Sequence, residues 1–93
     1  MTLIKHKGLG LSVELKDLTQ RDLERFYEKR REDNPDPKIL TLPEYTGAII
    51  RIASELDWFS ERLEIDDWKP AKVICLHTKL VEAMVESVTI PPE

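Results

Sequence analysis

The pattern of apolar and polar positions is strongest from Thr41 to Phe59, TLPEYTGAIIRIASELDWF. Tyr45, Ile49, Ile52, Ala53 and Leu56 recur at the i, i+4, i+7, i+8, i+11 spacing of one buried helical face. Ala48, Ile50 and Phe59 carry the apolar surface round the side. A helix this apolar needs other elements on more than one flank. Thr41 and Glu44 stand in capping-box register, and Leu40 and Tyr45 in the register of a hydrophobic staple. The spacing predicts a helix over residues 42–59, with the rest of the chain arranged around it.

The amino-terminal part has a different period. Leu9, Leu11, Val13 and Leu15 alternate with Gly10, Ser12, Glu14 and Lys16, which gives a strand with one apolar face. Thr2 to His6 supplies a partner strand, with Lys7-Gly8 at the turn. A hairpin over 2–16 is marginal alone, so its leucine face should lie on the helices. Gly8 and Gly10 also fit a floppy terminus, and the sequence leaves the two readings open.

Two more helices flank the central one. The first, over 19–33, starts at Thr19, whose side chain can cap the first turn. Asp22 adds a negative charge near the positive end of the dipole. Leu18 and Leu23 are in staple register, and Leu23, Phe26 and Tyr27 form a narrow apolar stripe. Asn34-Pro35-Asp36-Pro37 ends this helix in a rigid loop. Residues 60–68, SERLEIDDW, read as a loop or a short helical turn. Pro70 suits the first turn of a helix over 70–88. There Ile74, His77, Val81, Met84, Val85 and Val88 share what reads as the core face, broadened by Val73, Leu76, Leu80 and Ala83. The fold class is therefore mainly α, a three-helix domain with a short amino-terminal β-hairpin, all in a single domain over 1–93.

Composition narrows the function classes. The chain has 93 residues, 41% of them apolar and 34% charged, which suits one folded domain with a modest core. The formal charge is −4, from 18 acids against 14 bases. That balance argues against generic nucleic-acid binding, which needs an excess of positive charge. No apolar run approaches the roughly 20 residues of a membrane span, and no secretory signal opens the chain. Cys75 is the single cysteine, so no internal disulfide forms, and an intracellular, cytoplasmic setting fits.

Few residues offer chemistry. Cys75 and His77 are the soft metal ligands nearest each other, but two residues apart on a helix they point in different directions. A structural zinc site wants four ligands, and a Cys-His nucleophile pair fails on the same geometry. They read as a core thiol and a partly buried imidazole. Glu61, Glu64 and Asp66-Asp67 could do acid–base work or hold a hard cation. Without EF-hand spacing they read as a solvated loop before a helix N-terminus. Arg21, Arg25 and Lys29 lie at i, i+4, i+8, with Arg30-Arg31 after them. The row fits a phosphate-tracking stripe, an acidic protein partner, or a solvated face, and the interleaved Asp22, Glu24, Glu28 and Glu32 favour the last. Trp58, Phe59 and Trp68 bracket the acidic loop, either as interface anchors or as the floor of a small core. No catalytic residue, cofactor or metal site emerges.

Three phrases together are familiar: LKDLTQRDLERFYE, where a β segment runs into a polar helix; the apolar helix EYTGAIIRIASELDW; and WKPAKVICLHTKLVEAMVESVTIPPE. This layout resembles the small tail assembly chaperones of long-tailed bacteriophages. The resemblance implies a non-enzymatic helper in the bacterial cytoplasm that binds the tape measure protein, or another tail protein, during tail morphogenesis. The alternative is a small three-helix nucleic-acid-binding or regulatory phage protein. Independently, the central and third helices carry more apolar residues than one seam buries. Ile50, Leu76 and Leu80, which lie off the strongest faces, are expected to form a partner-binding patch together with Trp58 and Trp68. Alternatively the amino-terminal hairpin covers this surplus, or two chains bury it in a homo-oligomer, and self-association is the favoured reading.

Overall fold

The computed structural model describes residues 1–33 and 40–93. The expected Asn34–Pro37 loop lies outside the described residues. Among the described residues two strands and three α-helices follow in order: β1 (Thr2–His6), β2 (Leu11–Leu15), α1 (Gln20–Asp33), α2 (Leu42–Glu55) and α3 (Pro70–Val88). The domain is thus three helices and an amino-terminal antiparallel hairpin, as the sequence predicts.

The hairpin turns through a short 3-10 segment, Lys7–Leu9, so Leu9 belongs to the turn and not to the strand. His6 caps that turn: its Nδ1 accepts a hydrogen bond from the Leu9 N–H at 3.2 Å. Gly10 closes it in the left-handed region, φ 63°, a conformation glycine adopts without the Cβ clash other residues suffer. Ile4 pairs with Val13 and His6 with Leu11 across the ladder. Ile4, Leu11, Val13 and Leu15 face inward and are buried. A third piece of chain joins the sheet. The Lys16 N–H donates to the Trp58 carbonyl at 2.9 Å, and the Ser60 N–H donates to the Glu14 carbonyl at 3.0 Å. The hairpin therefore gains a partner along its β2 edge, which two isolated strands lack.

Two of the three helix starts marked in the sequence carry side-chain caps. The Thr19 Oγ1 accepts from the Asp22 N–H at 3.3 Å, while the Asp22 Oδ2 accepts from the Thr19 N–H at 2.9 Å. This reciprocal pair is a capping box with aspartate in the glutamate role. Burial works against charge on Asp22. The hydrogen bonds from the Thr19 N–H, Lys16 Nζ and Thr19 hydroxyl, with the Lys16 charge, outweigh it and hold the carboxyl below its ordinary pKa. At α2, Thr41 Oγ1 accepts from the Glu44 N–H at 3.4 Å, and its hydroxyl donates to Glu44 Oε1 at 2.9 Å.

The central helix ends earlier than its apolar pattern suggests, at Glu55 rather than Phe59. Asp57 adopts the left-handed conformation, φ 59°. The Trp58 N–H reaches back to the Ala53 carbonyl and the Asp57 N–H to the Ser54 carbonyl. This is a Schellman motif. It frees Trp58 and Phe59 from the helix and turns them into the core beside β2.

The core is one cluster. α2 supplies Ile49, Ile50, Ile52 and Ala53, α1 supplies Phe26, and α3 supplies Val73, Leu76 and Leu80. Trp58 stacks on Phe26, with ring centroids 5.1 Å apart and 26° between planes. Residues 60–68 form an irregular connection with turns, not a helical turn. It is held by the Leu63 N–H on Ser54 Oγ at 3.0 Å, by buried Ile65, and by an exposed Arg51–Asp66 pair at 2.7 Å. Asp66 thus has a cation to answer. An exposed pair of this kind contributes about 1 kcal/mol or less.

Candidate functional site: the groove between α1 and α3

α3 carries two apolar stripes, and the structure assigns them in the reverse of the expected sense. Leu76 and Leu80 are 0% exposed, and with Val73 they face α2. Val81 is 38%, Val85 58% and Val88 63% exposed. The stripe read as the core face is the outer one. The reason is geometric. α3 packs on α2 through Val73, Leu76 and Leu80, and this turns Val81, Val85 and Val88 away from the helix–helix seam.

The expected partner-binding residues are corrected accordingly. Ile50, Leu76 and Leu80 are fully buried, and Trp58 is 1% exposed. They form the intrachain core and present nothing to a partner in the folded chain. Ile50 is covered because α2 is buried on several sides, with Thr46, Gly47 and Ser54 also enclosed. Trp68 is half-buried, and its ring face is occupied by the Lys72 ammonium, 4.0 Å from the centroid. The cation–π contact accounts for it locally.

The apolar surface left outside gathers in one place. A groove of about 240 Å³ runs between α1 and α3, over the side of α2. α1 contributes Leu23, Phe26, Tyr27 and Arg30. α2 contributes Tyr45 and Ile49, and α3 contributes His77, Val81, Met84, Val85 and Val88. Phe26 and Ile49 are buried, whereas Tyr27, Tyr45, Val81, Val85 and Val88 are exposed. The valines recur at i, i+4, i+7, so they line one edge of the groove along its length. Sequence reasoning missed these residues as surface. A signal was present. Valine is a mediocre helix former, so a row of valines at exposed helical positions serves packing rather than propensity.

One end of the groove is polar. The Arg30 guanidinium lies 5.0 Å from the centroid of the Tyr45 ring. Tyr45 meets the His77 ring edge-on, at 5.5 Å and 72°. The His77 Nε2 is buried and has no hydrogen-bond partner among the described residues. Burial, and then the nearby Arg30 charge, push the His77 pKa below its ordinary value of 6.5. In the unfolded chain the imidazole takes up its proton first, at the ordinary value. Stability is therefore complete above pH 6.5, falls as pH drops through 6.5, and is fully reduced below the folded pKa. Urea midpoints at about pH 7.5 and about pH 5.5 should separate more for the wild type than for His77→Gln, whose side chain does not titrate in this range. An equal separation would show that His77 is not the group responsible.

Elsewhere the candidates are spoken for. Lys29 sits between Asp33 at 3.6 Å and Glu55 at 3.5 Å, and the charges of Asp33 and then Glu55 raise its pKa. That breaks the Arg21–Arg25–Lys29 row as a continuous stripe. Cys75 is half-buried against the core. Among the described residues no three His, Cys, Asp or Glu side chains stand together as metal ligands, and no helix is long and apolar enough to cross a membrane. No family model, curated protein or solved structure matches this chain.

Proposed function

We propose that this chain is a non-enzymatic assembly helper that holds an apolar helical segment of another protein in the α1–α3 groove. The observation that carries the reading is the Val81–Val85–Val88 edge, left exposed opposite Tyr27 and Tyr45 along one continuous apolar groove. Helix-in-groove recognition uses such a surface: an apolar groove with anchors at i, i+3 or i+4, and i+7. Exposed apolar residues scattered singly need no explanation, but residues gathered in one groove mark an interaction site.

Within that class, the resemblance to tail assembly chaperones of long-tailed phages points to the tape measure protein as the segment's owner. A long, helical, aggregation-prone chain needs its apolar faces covered until tube subunits enclose it, and a small groove-bearing domain is suited to that task. The test is co-expression of this chain with a tape measure protein of a long-tailed phage, taken from the neighbouring genes where they encode one. The soluble fraction of the tape measure protein should rise with the wild type and return to its unassisted level with Val85→Glu. No rise with a folded wild-type chain would refute the chaperone reading.

A further inference from the structure

The groove has a charge sign, and that sign says which helix fits it. This inference rests on the groove being a docking site for a partner helix. α1 and α3 run in opposite senses along it. Arg30 and His77 both meet the Tyr45 ring at one end, and Lys16 to Leu18, just before α1, share a cleft with Ala83, Glu86 and Ser87 near the end of α3. From His77 to Val88 the α3 edge spans three turns, about 16 Å. Among the described residues one charged side chain lines this length, Arg30, and no acidic residue does. Among the described residues Arg30 makes no ion pair. Its guanidinium faces the Tyr45 ring, which leaves its fork of N–H groups for another acceptor. His77 Nε2, buried and unpartnered, lines the same end. Two nitrogen-bearing groups without a described acceptor thus converge where an otherwise apolar trough begins.

We propose that the groove takes an amphipathic helix of a partner protein with one acidic side chain, Asp or Glu, placed beyond the end of its apolar stripe so that the carboxylate meets Arg30. The apolar stripe supplies affinity along the valine edge, and the carboxylate fixes the direction and register in which the helix lies. A carboxylate accepts the guanidinium's paired N–H groups in a fixed geometry, so it reports position as well as charge. A lysine there would face Arg30 directly and be rejected.

The experiment uses the full chain and synthetic helices as probes. The host is an acetylated, amidated alanine–glutamine peptide of about 16 residues, long enough for the trough, with leucines at i, i+4 and i+7. One version carries a glutamate in the first turn and another in the last, because the partner helix can lie either way. Matched versions carry glutamine or lysine instead. Fluorescence anisotropy should show one glutamate peptide binding about five-fold tighter than its glutamine match, the scale of a partly exposed charge pair, and the lysine match weakest. Arg30→Gln should erase the preference and leave the affinity for the glutamine peptide unchanged. Val85→Glu, on the exposed edge, should abolish binding of every version without altering the melting curve. Equal affinity for all three charges would overturn the acidic specificity and leave the groove reading standing. No binding of any peptide to folded protein would remove both. A wild-type dimer in sedimentation that Val85→Glu converts to monomer would put a second copy in the groove and overturn the proposal.

Discussion

Leu80→Glu is expected to leave the chain unfolded, while Val85→Glu, little more than one turn further along the same helix, is expected to fold normally. Leu80 is 0% exposed and lies in the single core cluster with Ile50, Leu76 and Phe26. Replacing it removes a buried leucine, which by itself costs about 2–5 kcal/mol. It also places a carboxylate where the surrounding cluster residues are apolar, and burying an unpaired charge adds several kcal/mol more. A domain of this size has about 5–15 kcal/mol in total, so the sum consumes most or all of it. Ile50→Glu should behave the same way for the same reason. Val85 faces solvent, and a charge there should change stability by no more than about 0.5 kcal/mol. Circular dichroism and urea titration of the variants decide the matter. If Leu80→Glu folds with a native midpoint, or Val85→Glu does not fold, the packing of α3 is rotated relative to the one described.

The second large effect is expected at Trp58. Trp58→Ala should cost about 3–5 kcal/mol, the range for deleting a buried aromatic. Its ring is stacked on Phe26, and its carbonyl accepts the Lys16 N–H. Trp58→Phe should be far milder, about 1–2 kcal/mol. Phenylalanine keeps a ring against Phe26, and it removes an indole Nε1 that is buried without a hydrogen-bond partner among the described residues. An orphaned buried donor is itself a cost of about 1–3 kcal/mol, so losing it offsets part of the lost packing. The readout is the urea midpoint by circular dichroism. Equal losses for alanine and phenylalanine would mean that the indole N–H is satisfied and the stacking is unimportant.

Much of the fold was legible because its signals are local. Thr19 with Asp22, and Thr41 with Glu44, announce two helix starts through side chains that reach only three residues. The period-two alternation of Leu11, Val13 and Leu15 announced a strand, and the ladder pairs those residues as a buried face. Pro70 announced the third helix to the residue. The end of α2 was not legible. Asp57 has a Cβ and enters the left-handed region less readily than glycine, so its side chain gives only a weak sign of the stop. The apolar Trp58 and Phe59 then prolong a helical pattern past the point where the backbone leaves it.

Local chemistry along the chain therefore determined which segments are helix or strand, and that the two apolar helices hold more hydrophobic surface than one seam can cover. Which side of α3 is core was decided by tertiary structure alone. Val73, Leu76 and Leu80 form one helical stripe, and His77, Val81, Val85 and Val88 form another beside it. Both satisfy the same periodicity, so no count of spacings separates them. The choice is made by long-range packing: α3 packs on α2, and Val73, Leu76 and Leu80 join Ile49, Ile50, Ala53, Trp58 and the hairpin residues in one core cluster. Once the leucines are committed inward, the valines share the groove with Leu23, Phe26, Tyr27, Arg30, Tyr45 and Ile49. The placement of α1 relative to α3, which no residue encodes by itself, leaves that surface as an open groove.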